Sequence, residues 1–232
     1  EHLRQGESQT LWHADRVLRH MLTDPAGDLK HAELRVDQLY PPERASLRLG
    51  RVQINAFETA PHERIAALQS LLVLGLLGRF ARRSEPAPLV RWGTALHDRF
   101  MLPGVLEADL RSVLEDLNAA GYPFQSEWFE ALTALRFPVL GTVQIGAIGL
   151  ELRTAHEPWP LLAEEVTATG IARFIDVANE RVQLRLSGMP PARYTLSCNG
   201  HFVPLQRMDA DGEYLAGVRF KVSNPHATLH PT

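Results

Sequence analysis

The chain has 232 residues, 45% hydrophobic and 22% charged, enough to bury a substantial core as one large domain or two small ones. A formal net charge of −3 gives no global electrostatic reason to expect nucleic acid or an anionic membrane as a partner. The single cysteine, Cys198, excludes an internal disulfide framework and a multi-cysteine zinc site, and it suits a reducing compartment such as the cytoplasm.

Residues 10–22 read as an amphipathic helix, with Thr10 as N-cap and Leu11, Ala14, Leu18, Met21 and Leu22 on one face. The turn at 23–28 leads into residues 31–39, where Ala32, Leu34 and Val36 alternate with Glu33, Arg35 and Asp37. Residues 51–58 alternate in the same way, Val52, Ile54 and Ala56 against Arg51, Gln53 and Asn55. Two such strands joined through Tyr40-Pro41-Pro42-Glu43-Arg44 predict an antiparallel pair.

A long helix is expected over 62–82. Its apolar run, 65–77, is too short to span a bilayer and reads as buried on nearly all sides. No signal peptide or lipidation signal is visible, and both ends of the chain look cut from a longer polypeptide. A second helix covers about 105–120, with Leu106, Leu110, Val113, Leu114 and Leu117 as its stripe and Gly121 as its stop. A short helix at 126–135 precedes one strand over 142–153, interrupted by Gly146 and Gly149.

After Pro158-Trp159-Pro160 only strands are expected: 171–177, 181–187, 193–198, 201–206 and 213–222. Asn199-Gly200 is a two-residue hairpin signal, and Cys198 reads as a small buried residue of its strand. The fold class is therefore α+β: an antiparallel sheet with helices packed on one face over 1–160, and a small all-β sandwich-like module over 165–232.

The densest chemistry lies in Arg91-Trp92-Gly93-Thr94-Ala95-Leu96-His97-Asp98-Arg99-Phe100. Two Arg can clamp phosphate or carboxylate in fork geometry, and His beside Asp can move a proton or hold a metal. The alternative is a helix start capped by Thr94, with Leu96 and Phe100 facing the core and the charges solvated. A second cluster is the polar sheet face of Glu33, Arg35 and Asp37, Arg51, Gln53 and Asn55, and Glu151 with Arg153. Carboxylates on a rigid sheet can hold Mg²⁺ while neighbouring Arg neutralise phosphates. A solvated face with routine cross-strand Glu–Arg pairs fits the same pattern.

Weaker cases are Glu58 and His62 at a strand-to-helix corner, and His156-Glu157-Pro158-Trp159. There is no His-Glu-x-x-His pattern, the one Cys has no adjacent His–Asp partner, and no Walker-type or Rossmann-type glycine loop is present.

Several of these stretches resemble a family of large, uncharacterised bacterial proteins assigned by prediction as amidoligases. They are Glu33-Leu34-Arg35-Val36-Asp37, Ala56-Phe57-Glu58-Thr59-Ala60-Pro61-His62, residues 91–103, Glu157-Pro158-Trp159 and Ser197-Cys198-Asn199-Gly200. The resemblance runs along essentially the whole chain, which would form the C-terminal part of such a protein. Family members often carry, or are encoded beside, a transglutaminase-like domain.

The resemblance implies a relationship to glutamine synthetase-like carboxylate–amine ligases, which bind Mg²⁺–ATP on the acidic face of an antiparallel sheet and form an acyl phosphate. It implies Glu33 and Asp37 as metal ligands, and Arg91, Arg99 and Arg35 as phosphate- or carboxylate-binding groups. His97 and Asp98 would orient the nucleophile. The family's second strand carries Glu and Arg where this chain has Gln53 and Asn55, which predicts a partial Mg²⁺–ATP site, left incomplete or completed by upstream sequence.

The favoured expectation is thus the C-terminal part of an ATP- and Mg²⁺-dependent amidoligase. Its partners would be the rest of the same polypeptide and a carboxylate or peptide substrate, with neither nucleic acid nor membrane involved. The competing expectation is a non-catalytic scaffold that docks a transglutaminase-like domain or a peptide. A third, a metal-dependent hydrolase, would use Glu33, Asp37 and His97.

Overall fold

A computed structural model describes residues 32–36, 50–83, 90–158, 161–168, 170–175, 178–190, 194–208 and 212–221, together with 23, 26 and 46. The expected helix at 10–22, Asp37 and the connection at 40–44 lie outside the described residues. The chain divides into two compact units, Glu1–Gln69 with Leu161–Phe174, and Ser70–Pro160 with Ile175–Thr232.

In the first unit, β1 (Leu34–Arg35) and β2 (Gln53–Ile54) form an antiparallel pair with Leu34 opposite Ile54 and Arg35 opposite Gln53. The ladder is extended by the Asn55 N–H, which donates to the Glu33 carbonyl at 2.7 Å. The strands are shorter than the alternating segments that announce them. This unit also holds the two-stranded sheet of β5 (Leu161–Thr167) and β6 (Gly170–Ile175), tied by Arg173 Nε to Glu164 Oε1 at 2.7 Å. Sequence patterning did not anticipate β5, whose Glu164-Glu165 pair breaks the apolar alternation.

Helix α1 (Glu63–Arg82) starts in the first unit and continues into the second. His62 caps it: the Arg64 N–H donates to His62 Nδ1 at 3.1 Å, and the His62 carbonyl accepts from Ile65 and Ala66. By length and composition alone α1 is sufficient to cross a membrane. The expectation of a helix buried on nearly all sides is corrected. Gly75 is its one buried residue, and Leu71, Leu74, Leu77 and Phe80 are 50–64% exposed.

Within the second unit, α1 packs through glycines. A Cβ on Gly78 would lie 2.5 Å from the Tyr122 hydroxyl oxygen, so a larger residue there would have to push the Tyr122 side chain aside. Arg79 grips the Asp116 carboxylate with Nε and Nη2, both at 3.0 Å, and Arg82 lies 5.2 Å from the centre of the Tyr122 ring.

Short helix α2 (Ala95–Arg99) is followed by α3 (Pro103–Ala119), which opens on Pro where the missing N–H costs nothing. It ends in a Schellman motif: Gly121 at φ 89° donates to Asn118, and the Tyr122 N–H reaches the Leu117 carbonyl at 2.9 Å. Helix α4 (Glu127–Arg136) follows. Leu102, Leu114, Leu117, Phe129, Leu215 and Ala216 are buried and mark the core of this unit.

The main sheet is antiparallel and five-stranded, in the order β10-β11-β7-β4-β3, from β3 (Val139–Ile145), β4 (Ile148–Ala155), β7 (Asn179–Ser187), β10 (Gln206–Arg207) and β11 (Tyr214–Lys221). The expected single strand over 142–153 is a hairpin turning at Gly146-Ala147, with Ile145 opposite Ile148. β7 pairs with β4 on one side and β11 on the other, so strands assigned to the two sides of the expected 160–165 boundary share one sheet.

β8 (Leu196–Cys198) and β9 (His201–Val203) form a separate hairpin. Asn199 and Gly200, both at positive φ, make the turn that the sequence signals. Cys198 is exposed, not buried, and stands opposite His201, as a two-residue turn at Asn199-Gly200 requires.

Candidate functional site

Antiparallel partners share a face, so the register puts Glu33, Arg35, Gln53 and Asn55 on one side of the β1–β2 pair. Glu33, Gln53 and Asn55 are exposed and Arg35 is half-buried. The amides are already engaged: Gln53 Nε2 donates to Asn55 Oδ1 at 2.8 Å, and Asn55 Nδ2 donates to the Ala32 carbonyl at 3.0 Å. Mg²⁺ wants several hard oxygen ligands, carboxylates first. Among the described residues no three His, Cys, Asp or Glu side chains gather, and Glu33 is the one acidic group on this face. The described residues do not assemble a Mg²⁺ site.

Residues 91–103 fold into two turns around α2. Ala95 donates to the Trp92 carbonyl, Phe100 to Leu96 and Leu102 to Arg99. Trp92 and Phe100 meet edge to face at 6.3 Å between ring centres. Thr94 stands at the N-cap, but its backbone is already helical and its side chain makes no capping bond. Arg91 and Arg99 are exposed. His97 and Asp98 sit within α2, and their side chains are outside the description.

The segment is anchored from behind. Arg181, 6% exposed on β7, donates through Nη1 to the Phe100 carbonyl at 2.6 Å. Gly217 on β11 makes room for that guanidinium, because a Cβ there would lie 2.8 Å from Arg181 Nη2 and 3.0 Å from Leu102 Cδ2. Two residues beyond fully buried Leu102, the Gly104 N–H donates to the buried Gln183 side chain.

The other candidate corner residues have structural partners. His62 caps α1 as described, and Glu157 holds Arg219 bidentately at 2.6 and 2.7 Å. Glu58 is exposed, and Trp159 lies outside the described residues.

The expectation that Glu151 and Arg153 share a polar face with Glu33 and Gln53 is corrected: β4 belongs to the five-stranded sheet and not to the β1–β2 pair, and the sequence reading missed the polar partners it meets there beneath α3. On β7, Arg181, Gln183 and Arg185 alternate with Val182, Leu184 and Leu186, and cross-strand pairing adds Glu151 opposite Arg185 and Arg153 opposite Gln183. Glu107 of α3 closes an ion-pair chain. Glu151 meets Arg153 Nε at 2.9 Å, and Arg153 Nη1 meets Glu107 at 3.0 Å. Arg185 stands 3.9 Å from Glu107 and 2.9 Å from Glu213. Alternation on residues 181–186 was the available signal, but it does not say which face a helix covers.

Two of the hollows beside these ion pairs bear on the chemistry. One, about 600 Å³ and open, is lined by Thr142, Gln144, Glu151, Arg185 and Glu213 among others. The other, about 410 Å³, lies between α3, α4 and the sheet.

Residues 1–232 match the family described as "Putative amidoligase enzyme (DUF2126)". The chain belongs to this family. The match covers its whole length, both compact units included, and supports a ligase-like function in general terms. No curated protein and no solved structure matches it.

Proposed function

We propose that this chain is part of an amidoligase that joins a carboxylate to an amine, with ATP and Mg²⁺ activating the carboxylate as an acyl phosphate. Family membership over residues 1–232 is the observation that carries this reading. Arg91, ahead of α2, and Arg99, its last residue, are both exposed and would hold phosphate or carboxylate through their guanidinium groups. Arg35 would do the same beside Glu33 on the open strand face, with Glu33 and Asp37 as the chain's contribution to the metal. His97 and Asp98 would orient the amine. Because the described residues form no complete metal site, no step of the reaction is assigned to them beyond holding and orienting.

The test is an ATP-consumption assay on the full-length protein across candidate amines and acidic peptides, with the amide product identified by mass. The expected result is amine-dependent ATP turnover that falls by about tenfold or more in Arg91→Ala and Arg99→Ala, about 1.4 kcal/mol of transition-state stabilisation each. Turnover retained in both variants would remove the 91–103 segment from the site.

One observation favours a second reading, docking of a transglutaminase-like domain or a peptide. Helix α1 leaves Leu71, Leu74, Leu77 and Phe80 facing outward, an apolar strip of the kind that marks interaction surfaces. An inactive full-length protein that retains such a domain on affinity purification, and loses it with Leu74→Glu, would favour this reading over the ligase.

A further inference from the structure

We infer that the 410 Å³ hollow between α3, α4 and the sheet binds a small apolar zwitterion, a free α-amino acid or a short peptide with an apolar side chain. The walls follow from helical spacing. Glu107, Leu110, Arg111 and Leu114 fall at i, i+3, i+4 and i+7 on α3. On α4, Ser126, Phe129, Glu130 and Thr133 repeat the same spacing from the opposite side, starting at the N-cap, and Phe137 at the C-cap extends the wall. Both helices therefore turn one stripe toward the same space.

The chemistry of the lining divides in two. Its floor is apolar, with Leu114, Phe129 and Phe137 all buried. Its rim carries opposite charges that are unspent: neither Arg111 nor Glu130 makes an ion pair or side-chain hydrogen bond among the described residues, and both are exposed. The other charges at this hollow, Arg153 and Glu107, already satisfy each other at 3.0 Å. The two open valences are thus one guanidinium, which takes a carboxylate, and one carboxylate, which takes an ammonium. A ligand with both groups and an apolar side chain meets rim and floor together. The volume lies in the range of small-molecule sites and is large enough for one or two residues.

This goes beyond the ligase reading, because binding here needs no ATP, metal or turnover. Should that reading hold, the zwitterion has the chemistry of a ligation substrate.

Isothermal titration of the chain without nucleotide tests the inference, using L-leucine, L-phenylalanine and Leu-Leu. Isoamylamine, which lacks the carboxylate, and 4-methylpentanoate, which lacks the ammonium, serve as controls. At least one zwitterion is expected to bind saturably, about tenfold or more tighter than either singly charged analogue. Arg111→Gln should abolish the preference over isoamylamine, and Glu130→Gln the preference over 4-methylpentanoate. Both residues are exposed, and circular dichroism checks that each variant is folded. Binding of leucine or phenylalanine without Leu-Leu assigns the hollow to free amino acids, and the reverse assigns it to peptides. Absence of saturable binding at millimolar concentration overturns the inference, as do preferences unchanged in both variants. Neither result bears on ATP turnover.

Discussion

The side-chain carbonyl of Gln183 accepts the backbone N–H of Gly104 at 2.7 Å, joining residues 79 positions apart. Gln183 is 2% exposed at the centre of the main sheet, and Gly104 lies in the first turn of α3. The first N–H groups of a helix have no partner within it, so a buried helix start must find acceptors elsewhere. Here a strand supplies one, and the same contact sets α3 and its stripe of Glu107, Leu110 and Arg111 over the sheet.

Gln183→Met keeps the volume and removes the acceptor, leaving the Gly104 N–H buried without a partner. The cost is expected at about 1–3 kcal/mol. Urea unfolding of the variant checks this, and a midpoint equal to that of the parent chain would show that Gln183 does not hold α3.

Gly217→Ala places a Cβ against the Arg181 guanidinium, which cannot swing into solvent because it is buried and bonded to the Phe100 carbonyl. Overpacking of this kind costs about 1–3 kcal/mol. The measurement is again equilibrium unfolding, and a loss of protection of residues 91–103 in hydrogen exchange should accompany it.

Leu74→Gln and Leu117→Ala separate the exposed and packed faces of the helical layer. Leu74 is 64% exposed and its substitution should change stability by less than about 0.5 kcal/mol. Leu117 is fully buried beside Gly75, and truncating it should cost about 2–5 kcal/mol. Comparable losses from both would show that the outer face of α1 is packed within this chain.

Mg²⁺–ATP should bind the isolated chain weakly or not at all. Glu33 shares its face with Arg35 and with two amides already committed to each other and to Ala32, so carboxylate density is low. Calorimetric titration decides the point: micromolar affinity, about 8 kcal/mol, would mean that the residues present suffice.

Local chemistry was legible in the sequence. The helices expected at 62–82, 105–120 and 126–135 are Glu63–Arg82, Pro103–Ala119 and Glu127–Arg136, and Gly121 and Asn199-Gly200 turn the chain where their conformational freedom predicts. The polar face of Glu33, Arg35, Gln53 and Asn55 followed from alternation, because a period of two fixes sides whatever the partner. The α+β class and the family could be read at the same level.

Apart from the β1–β2 pair and the Asn199-Gly200 hairpin, which strand pairs with which was decided by the tertiary structure. Alternation in residues 181–187 says that two faces differ, but only the pairing with β4 and β11 puts Arg153, Arg185 and Gln183 together under α3. Leu71, Leu74 and Leu77 read as core because apolar side chains normally are, yet the glycine face of α1 took the packing and left them outside. Backbone propensity and hydrophobic period act within a few residues, whereas burial and ion pairing are properties of surfaces brought together from distant parts of the chain.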